Sequence, residues 1–473
     1  MYIHKIKLYN FKGFSGKHEL IFSRGINFLV GNNNCGKTTI FRAIDFLQNG
    51  GNKENFINNS KNEEHVSVEI EIVGDDLKDF IGNTDNSNVK KYKSGIIDNG
   101  DGTSSLRIIR SSDDIKKIKV YIPDDDEYKN LTGFDKAIKV LFDAQFVYSD
   151  LNNNDYQDFG KTKIIGRLID GALNGFRGSE EWKEFEKAHE KAFGENGLKN
   201  QLQSLEQRVS NILKEQYGEG ELKIRFDLPA IDNFSKAGSL ELEDSGGVTE
   251  VSDKGTGMQR ALALSLIQVY ADANNEDSEK PMFFFIDEPE TFLHPMAQNR
   301  LLAAFEKLSN KHQLFITTHS PYLLKSFKKD LHKLMIYGKD ESGNNILTND
   351  SQTLNLFGKS SPTWGEVNYF AFGVLSVEFH NELYGFLQAR AIDEDQGNYR
   401  EEKFDQWLVN KGFTADKSYT RLKMDGTTKT HNSTLPTYIR NLIHHPENSH
   451  NPSYTDEELK SSSEKMINIL HVK

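Results

Sequence analysis

The sequence predicts an α/β chain with a β-rich N-terminal lobe, a short helical arm inserted behind it and a mainly helical C-terminal section. Three observations carry that prediction. The apolar run Ile26-Asn27-Phe28-Leu29-Val30 feeds a glycine loop and then a helical pattern, the strand–loop–helix order of a phosphate-binding sheet edge. A second continuous run, Pro281-Met282-Phe283-Phe284-Phe285-Ile286, suits the buried centre of a parallel sheet. Between them, residues 179–217 turn charged and helical in period, which marks an insertion.

The elements follow in order. Ile3, Ile6, Leu8 and Phe11 are apolar among polar neighbours, and Val66, Val68, Ile70 and Ile72 alternate strictly, so residues 1–75 read as half-buried strands. Residues 76–125 are polar, with Asn99-Gly100-Asp101-Gly102 as a hairpin turn between Ile96-Ile97 and Leu106-Ile108-Ile109. Leu198, Leu202, Leu205, Val209 and Ile212 step by four and three, a seam of about two heptads. Such a seam either packs on the rest of the chain or meets a second copy. Leu314-Phe315-Ile316 is a further strand, and Ser351–Pro362 reads as a linker. The expected domains are an N-terminal lobe at 1–178, the arm at 179–220, a second lobe at 221–345 and a C-terminal domain at 346–473.

Length and charge narrow the class. A chain of 473 residues suggests two or three domains. A net charge of −12 argues against a general nucleic-acid coat, though not against a local basic groove. No run of about 18 apolar residues occurs, and Met1-Tyr2-Ile3-His4-Lys5 lacks the zones of a signal peptide. The single cysteine, Cys35, excludes an internal disulfide framework. It reads as a small residue in a tight turn, and a cytoplasmic, reducing location is expected.

The chemistry starts at Gly31-Asn32-Asn33-Asn34-Cys35-Gly36-Lys37-Thr38-Thr39, which fits G-x-x-x-x-G-K-S/T. The glycines let backbone N–H groups turn toward phosphates, and the next helix presents its positive end. Lys37 is expected to reach the terminal phosphates of ATP, and Thr38 to offer its hydroxyl to Mg²⁺. Asp287 and Glu288 follow the second apolar strand. Asp287 would hold Mg²⁺ and Glu288 would polarise the attacking water. His319, in Thr317-Thr318-His319-Ser320-Pro321, stands at the end of the next strand. Residues 252–260, with Thr256, Gly257 and Gln259, offer a second phosphate-facing helix start.

Taken together, "KIKLYNFKGF", "GNNNCGKTT", "DKGTGMQRALALSL", "IDEPETFLHP" and "ITTHSP" resemble the ABC-type ATPase head, closest to its RecF/SMC-like and OLD-family branch. The resemblance covers roughly residues 1–335. It implies that two heads sandwich two ATP molecules, the signature segment of one closing on the γ-phosphate held by the other. Thr256, Gly257 and Gln259 would then be signature residues, Asp287 and Glu288 the Walker B pair, and His319 the switch histidine. Leu293-His294-Pro295 would lie in the D-loop, and Gln145 is the candidate Q-loop residue. The signature departs from L-S-G-G-Q, with Gly255-Thr256-Gly257-Met258-Gln259 in its place.

OLD-family nucleases carry a TOPRIM metal site after the head. Here Asp393-Glu394-Asp395 and Glu401-Glu402 lie in a polar stretch with no apolar strand to present them, so they read as solvated surface. The chain therefore resembles the stand-alone ATPase subunits of bacterial anti-phage systems, which hold a separate nuclease: TOPRIM-type in PARIS-like systems, HNH-type in Septu-like ones. "WGEVNYFAFGVLSVEFHNELYG" and "YIRNLIHHPEN" lean toward the PARIS-like form. Three functions follow: an ATP-driven sensor and scaffold for an effector nuclease, answering a phage protein; a RecF-type DNA-repair ATPase; or a toxin with its own RNase site. The last rests on Arg440 and His445, which fit the R-x-x-x-x-H pattern of HEPN ribonucleases.

Overall fold

The computed structural model describes residues 1–57, 65–130, 133–148, 165, 169, 176, 178–193, 197–217, 221–224, 239–244, 247–277, 281–291, 293–324, 327–351, 353–395, 400–422 and 426–471. The chain divides into two compact units, Met1–Ser149 with Lys280–Lys473, and Asp150–Glu279.

The first unit begins with β1 (Tyr2–Tyr9), β2 (Lys17–Ile21), β3 (Ile26–Gly31), β4 (Ser67–Gly74), β5 (Ile96–Asp98), β6 (Ser104–Ser111), β7 (Ile118–Ile122), β8 (Glu127–Lys129) and β9 (Asp143–Val147). An antiparallel sheet runs β2-β1-β4-β6-β7-β8, with β5 beside β6. It has one dry face. Val68, Ile70 and Ile72 are buried, while Glu69 meets Lys7 at 2.8 Å and Glu71 lies 3.5 Å from Arg107. Strict alternation produces that division. The expected hairpin turn at 99–102 joins β5 to β6, with Gly100 and Gly102 at positive φ.

The sheet that matters for function is assembled from distant segments. Its order is β15-β14-β3-β13-β12-β9, with β12 (Met282–Asp287), β13 (Gln313–Thr318), β14 (His332–Lys339) and β15 (Asn345–Asp350). From β14 to β9 all pairings are parallel, and β15 closes the edge antiparallel. Every residue of β3, β12 and β13 is buried, as continuous apolar strands of a two-sided parallel sheet must be. Phe285 is the centre of an aromatic ladder. Its ring stacks on Phe315 at 4.6 Å and on Phe146 at 4.9 Å, and α1 (Lys37–Asn49) adds Phe41 edge-on at 5.4 Å. A buried Phe in such a setting contributes about 3–5 kcal/mol relative to alanine. β15 runs to Asp350, so this sheet crosses the expected domain start at 346.

The rest of the first unit is helical apart from one hairpin. Trp364–Phe372 starts with a capping box, Thr363 with Glu366, and Trp364 donates to the Pro321 carbonyl at 3.1 Å. That bond ties the helical section to the residues just after β13. Val377–Asp395, Glu401–Asn410 and Asp456–His471 enclose a second core around Phe379, Leu383, Trp407 and Met466. Strands Lys417–Leu422 and Thr428–Ser433 form a hairpin beside helix Leu435–His444.

The second unit holds α2 (Glu180–Phe193) and α3 (Leu198–Tyr217), a small hairpin of β10 (Glu241–Asp244) and β11 (Gly247–Glu250), and α4 (Thr256–Asp277). The heptad seam lies on α3. Leu205, Val209 and Ile212 are 46%, 37% and 53% exposed, so the apolar seam faces solvent.

Candidate nucleotide site

Three adjacent parallel strands end together, and each carries one part of the site. β3 runs into the loop Gly31–Gly36, β12 ends on Asp287 and β13 ends on Thr318. The carboxyl edge of a parallel sheet is where open α/β folds bind ligands. Two glycines make the loop feasible. Gly31 has φ 136° and Gly36 φ 94°. A Cβ on Gly31 would sit 2.2 Å from the Tyr337 carbonyl oxygen, and one on Gly36 would sit 2.6 Å from Asn345 Nδ2. Asn32, Asn33 and Asn34 are exposed at the loop's outer side, Cys35 is buried beneath it, and Thr39 donates its N–H to Gly36. Burial pushes the Cys35 thiol up, which suits the small packing residue expected from the sequence.

Lys37 is the centre of charge. It is only 5% exposed, and its Nζ donates to the carbonyls of Gly31 at 3.0 Å and Asn32 at 2.9 Å. Among the described residues it has no carboxylate ion pair. Burial lowers its pKa, with Cys35, Glu288 and Asp287 acting against that. A buried ammonium without a counter-ion is costly unless an anion meets it. That is the observation by which these residues fit a phosphate group.

Thr38 donates to Asp287 Oδ1 at 2.9 Å, and Thr317 donates to the same oxygen at 2.5 Å. One buried carboxylate oxygen thus joins loop, β12 and β13. A hydroxyl and a carboxylate so placed are the hard oxygen donors that Mg²⁺ takes from a protein. Glu288 comes next, at φ 44°. A non-glycine residue there stores on the order of 1–3 kcal/mol. Its N–H is held by Thr317, by the carbonyl at 3.1 Å and the hydroxyl at 3.0 Å. The turn aims Glu288 away from Asp287 and toward His319, Oε1 to Nε2 3.4 Å. Burial lowers the His319 pKa, and Lys37 lowers it further against Glu288 and Asp287.

Glu290 escaped the sequence reading. It is buried, and its Oε1 accepts from the Thr318 hydroxyl at 2.7 Å, His319 N–H at 2.8 Å and Ser320 N–H at 3.1 Å. Burial raises its pKa while these bonds pull it back. Ser320 continues the chain of bonds to Gln298 at 2.7 Å, and Gln298 to the Leu293 carbonyl at 3.1 Å. His294 caps helix Pro295–Ser309 by accepting from Met296 N–H. The only sequence signal for Glu290 is its place two residues after Glu288 in a tight turn.

The other expected residues belong to other elements. Thr256 and Met258 are exposed at the start of α4 in the second unit, Gly257 is half-buried, and Gln259 is buried with its amide donating to the Ser252 and Lys254 carbonyls at 3.1 and 2.6 Å. Gln259 therefore ties down its own preceding turn. Gln145 sits within β9, opposite Phe284. Glu394 is exposed, as expected of solvated surface, and it also binds Arg390 Nε at 3.0 Å, Lys411 at 3.1 Å and Trp407 Nε1 at 3.0 Å, so it braces a helix pair at the surface. Arg440 lies 3.5 Å from Glu401, and His445 lies 3.3 Å from Glu447 just past the helix end.

Removing the Glu290 carboxylate would strand one hydroxyl and two N–H groups, each costing about 1–3 kcal/mol unless water replaces it. Glu290→Ala is expected to speed amide hydrogen exchange at His319 and Ser320 by at least about tenfold, with Phe315 and Ile316 little changed. Equal protection in variant and native protein would remove Glu290 from this role.

Comparison with known proteins places the chain. The Old nuclease of Escherichia phage P2 is 28% identical over 381 residues, 76% of this chain and 63% of that protein. Endonuclease GajA of Bacillus cereus (strain HuB5-5) is 23% identical over 414 residues, 69% of this chain and 59% of that protein. The chain thus spans about three fifths of the length of both. A solved Smc head domain from Pyrococcus furiosus, with an extended coiled coil and bound to the C-terminal domain of ScpA, is 15% identical, with TM-score 0.43 over 73% of this chain and 96% of that one. A family model matches residues 26–325, from β3 through β13 and the residues after it. By that match the chain belongs to the AAA_21 family, "AAA domain, putative AbiEii toxin, Type IV TA system".

Proposed function

We propose that this chain binds and hydrolyses ATP to ADP and phosphate, with Mg²⁺, and uses the cycle to hold and release a separate effector nuclease in bacterial anti-phage defence. The observation that carries the ATPase reading is the shared Asp287 oxygen, which gathers Thr38 and Thr317 beside a buried, uncompensated Lys37. Lys37 binds the terminal phosphates. Thr38 and Asp287 hold the metal, which neutralises phosphate charge. Glu288 accepts the proton of the attacking water, and His319, kept neutral by its lowered pKa, orients that water or donates to the γ-phosphate. Lys37→Ala is expected to lose nucleotide binding. Glu288→Gln should bind normally and turn over about 10²–10⁴-fold more slowly. Native turnover in Glu288→Gln, measured as phosphate release, would refute the assignment of the base.

Two copies associate head to head in this reading, with Thr256, Gly257 and Gln259 of each serving the other's nucleotide. The exposed seam of α3 adds a contact, weak because about two heptads bury little. Light scattering on Leu202→Glu/Val209→Glu protein is expected to give a smaller particle than the native chain. An unchanged mass and elution volume would reduce the arm to ordinary packing.

The effector is taken to be TOPRIM-type and encoded nearby, its release answering a phage protein, all in the cytoplasm. No described helix is long and apolar enough to cross a membrane. Co-purification of the tagged chain with the product of an adjacent nuclease gene is the expected result, and its loss on ATP addition to native but not Glu288→Gln protein. Hydrolysis that rises with duplex ends and needs no protein partner would move the reading to DNA repair.

A further inference from the structure

Arg440 and His445 share a cavity that the ATP cycle does not use. It has a volume of about 440 Å³ and is walled by Tyr419, Arg421 and His431 on one side and by Arg440, Asn441 and His445 on the other, with Glu401 and Glu447 also in its lining. The first wall is the hairpin β16 (Lys417–Leu422) and β17 (Thr428–Ser433). Its register places Tyr419 opposite His431 and Arg421 opposite Lys429. Directly opposed residues share a face, and a step of two returns to it. Tyr419, Arg421 and His431 line the cavity, and Lys429 shares their face of the hairpin without lining it.

Arg421 against Lys429 is a like-charge pair, which weakens a hairpin. Both are exposed to solvent, and among the described residues neither has a carboxylate partner. The chain as a whole carries −12, so acidic groups to neutralise them were not in short supply. Across the cavity, Arg440 is set by Asn441 Oδ1 at 2.9 Å and Glu401 at 3.5 Å, which leaves most of its five donors uncommitted. Glu447, also in the lining, lies 3.3 Å from His445. The floor is polar yet buried. Asn448 donates to the Thr420 carbonyl at 2.8 Å and to the Tyr419 oxygen at 3.3 Å. The Tyr419 phenol thus accepts, and no acceptor for its own proton is found among the described residues.

We propose that this cavity binds the phosphate group of a nucleotide or RNA strand, held by Arg421 from the hairpin, Arg440 from the helix and the Tyr419 hydroxyl from the floor, with Lys429 adding charge from the same face of the hairpin. A phosphate offers acceptor oxygens to guanidinium forks and a hydroxyl, and its charge relieves the opposed cations. The site is independent of the nucleotide loop, so it is tested in full-length Lys37→Ala protein.

The probes are inorganic phosphate, AMP and a labelled single-stranded RNA decamer, titrated by calorimetry or anisotropy at constant ionic strength. At least one should bind. Binding of phosphate and AMP alone identifies a nucleotide site, and tighter binding of the decamer identifies a strand. Arg421→Glu turns the like-charge pair into an opposite-charge one. It should raise the melting temperature while weakening the probe by about tenfold or more. Lys460→Glu, at an exposed cation elsewhere in the section, should leave affinity unchanged. No binding of any probe at millimolar concentration, full affinity in Arg421→Glu, or equal loss in Lys460→Glu would each overturn the proposal.

Discussion

The candidate site depends on β13 lying between β3 and β12. That strand contributes few of the groups expected to touch nucleotide, yet it sets the distance between those that do. Register places Thr317 beside Asp287 and Thr318 beside Val30. From that position Thr317 fixes both the Asp287 carboxylate and the Glu288 N–H, while Thr318 and the next two residues are fastened to Glu290. Shifting the register by one residue would turn each of these side chains to the opposite face of the sheet.

The three acidic residues of the turn after β12 are kept apart by environment. Asp287 is buried, and its Oδ1 accepts from two hydroxyls. Glu288 is half-exposed, rotated out by its left-handed backbone, and near an imidazole. Glu290 is buried and bound mainly to backbone N–H groups. In the proposed cycle these similar carboxylates serve as an oxygen ligand and an acceptor for a water proton, while Glu290 braces the histidine segment. Their division follows from burial and partner, since the unperturbed groups differ little.

Much of this was legible before any coordinates. The glycine loop can be read because only particular residue types survive its backbone, and β3, β12 and β13 can be read because strands buried on both faces must be continuously apolar. Val68, Ile70 and Ile72 were placed by alternation alone. Glu290 was not legible: its role lies in a register between strands, and a local pattern does not carry registers. The hairpin at 417–433 was missed because its strands hold Lys, Ser, Thr, Arg and Asn, with little apolar alternation to mark them. Glu394 reads as solvent-facing surface and is exposed, but its three donors were not legible because positions 390, 407 and 411 are split by a helix end.

The strand order also sets a timetable for synthesis. Asn27 in β3 donates its side-chain amide to the Leu314 carbonyl in β13, 287 residues later. At about 5–20 residues per second on the ribosome, β3 waits on the order of 15–60 s for its partner. Throughout that interval a largely apolar strand, Ile26–Val30, has no sheet neighbour of its own on either side, since β14 comes later still. The antiparallel sheet of residues 2–129 is complete much sooner, and α1 can pack against it through Ile40, Phe41 and Ile44. The early sheet thus shelters the glycine loop's helix while the nascent chain lengthens, and the exposed edges of β3 are where a chaperone would find purchase.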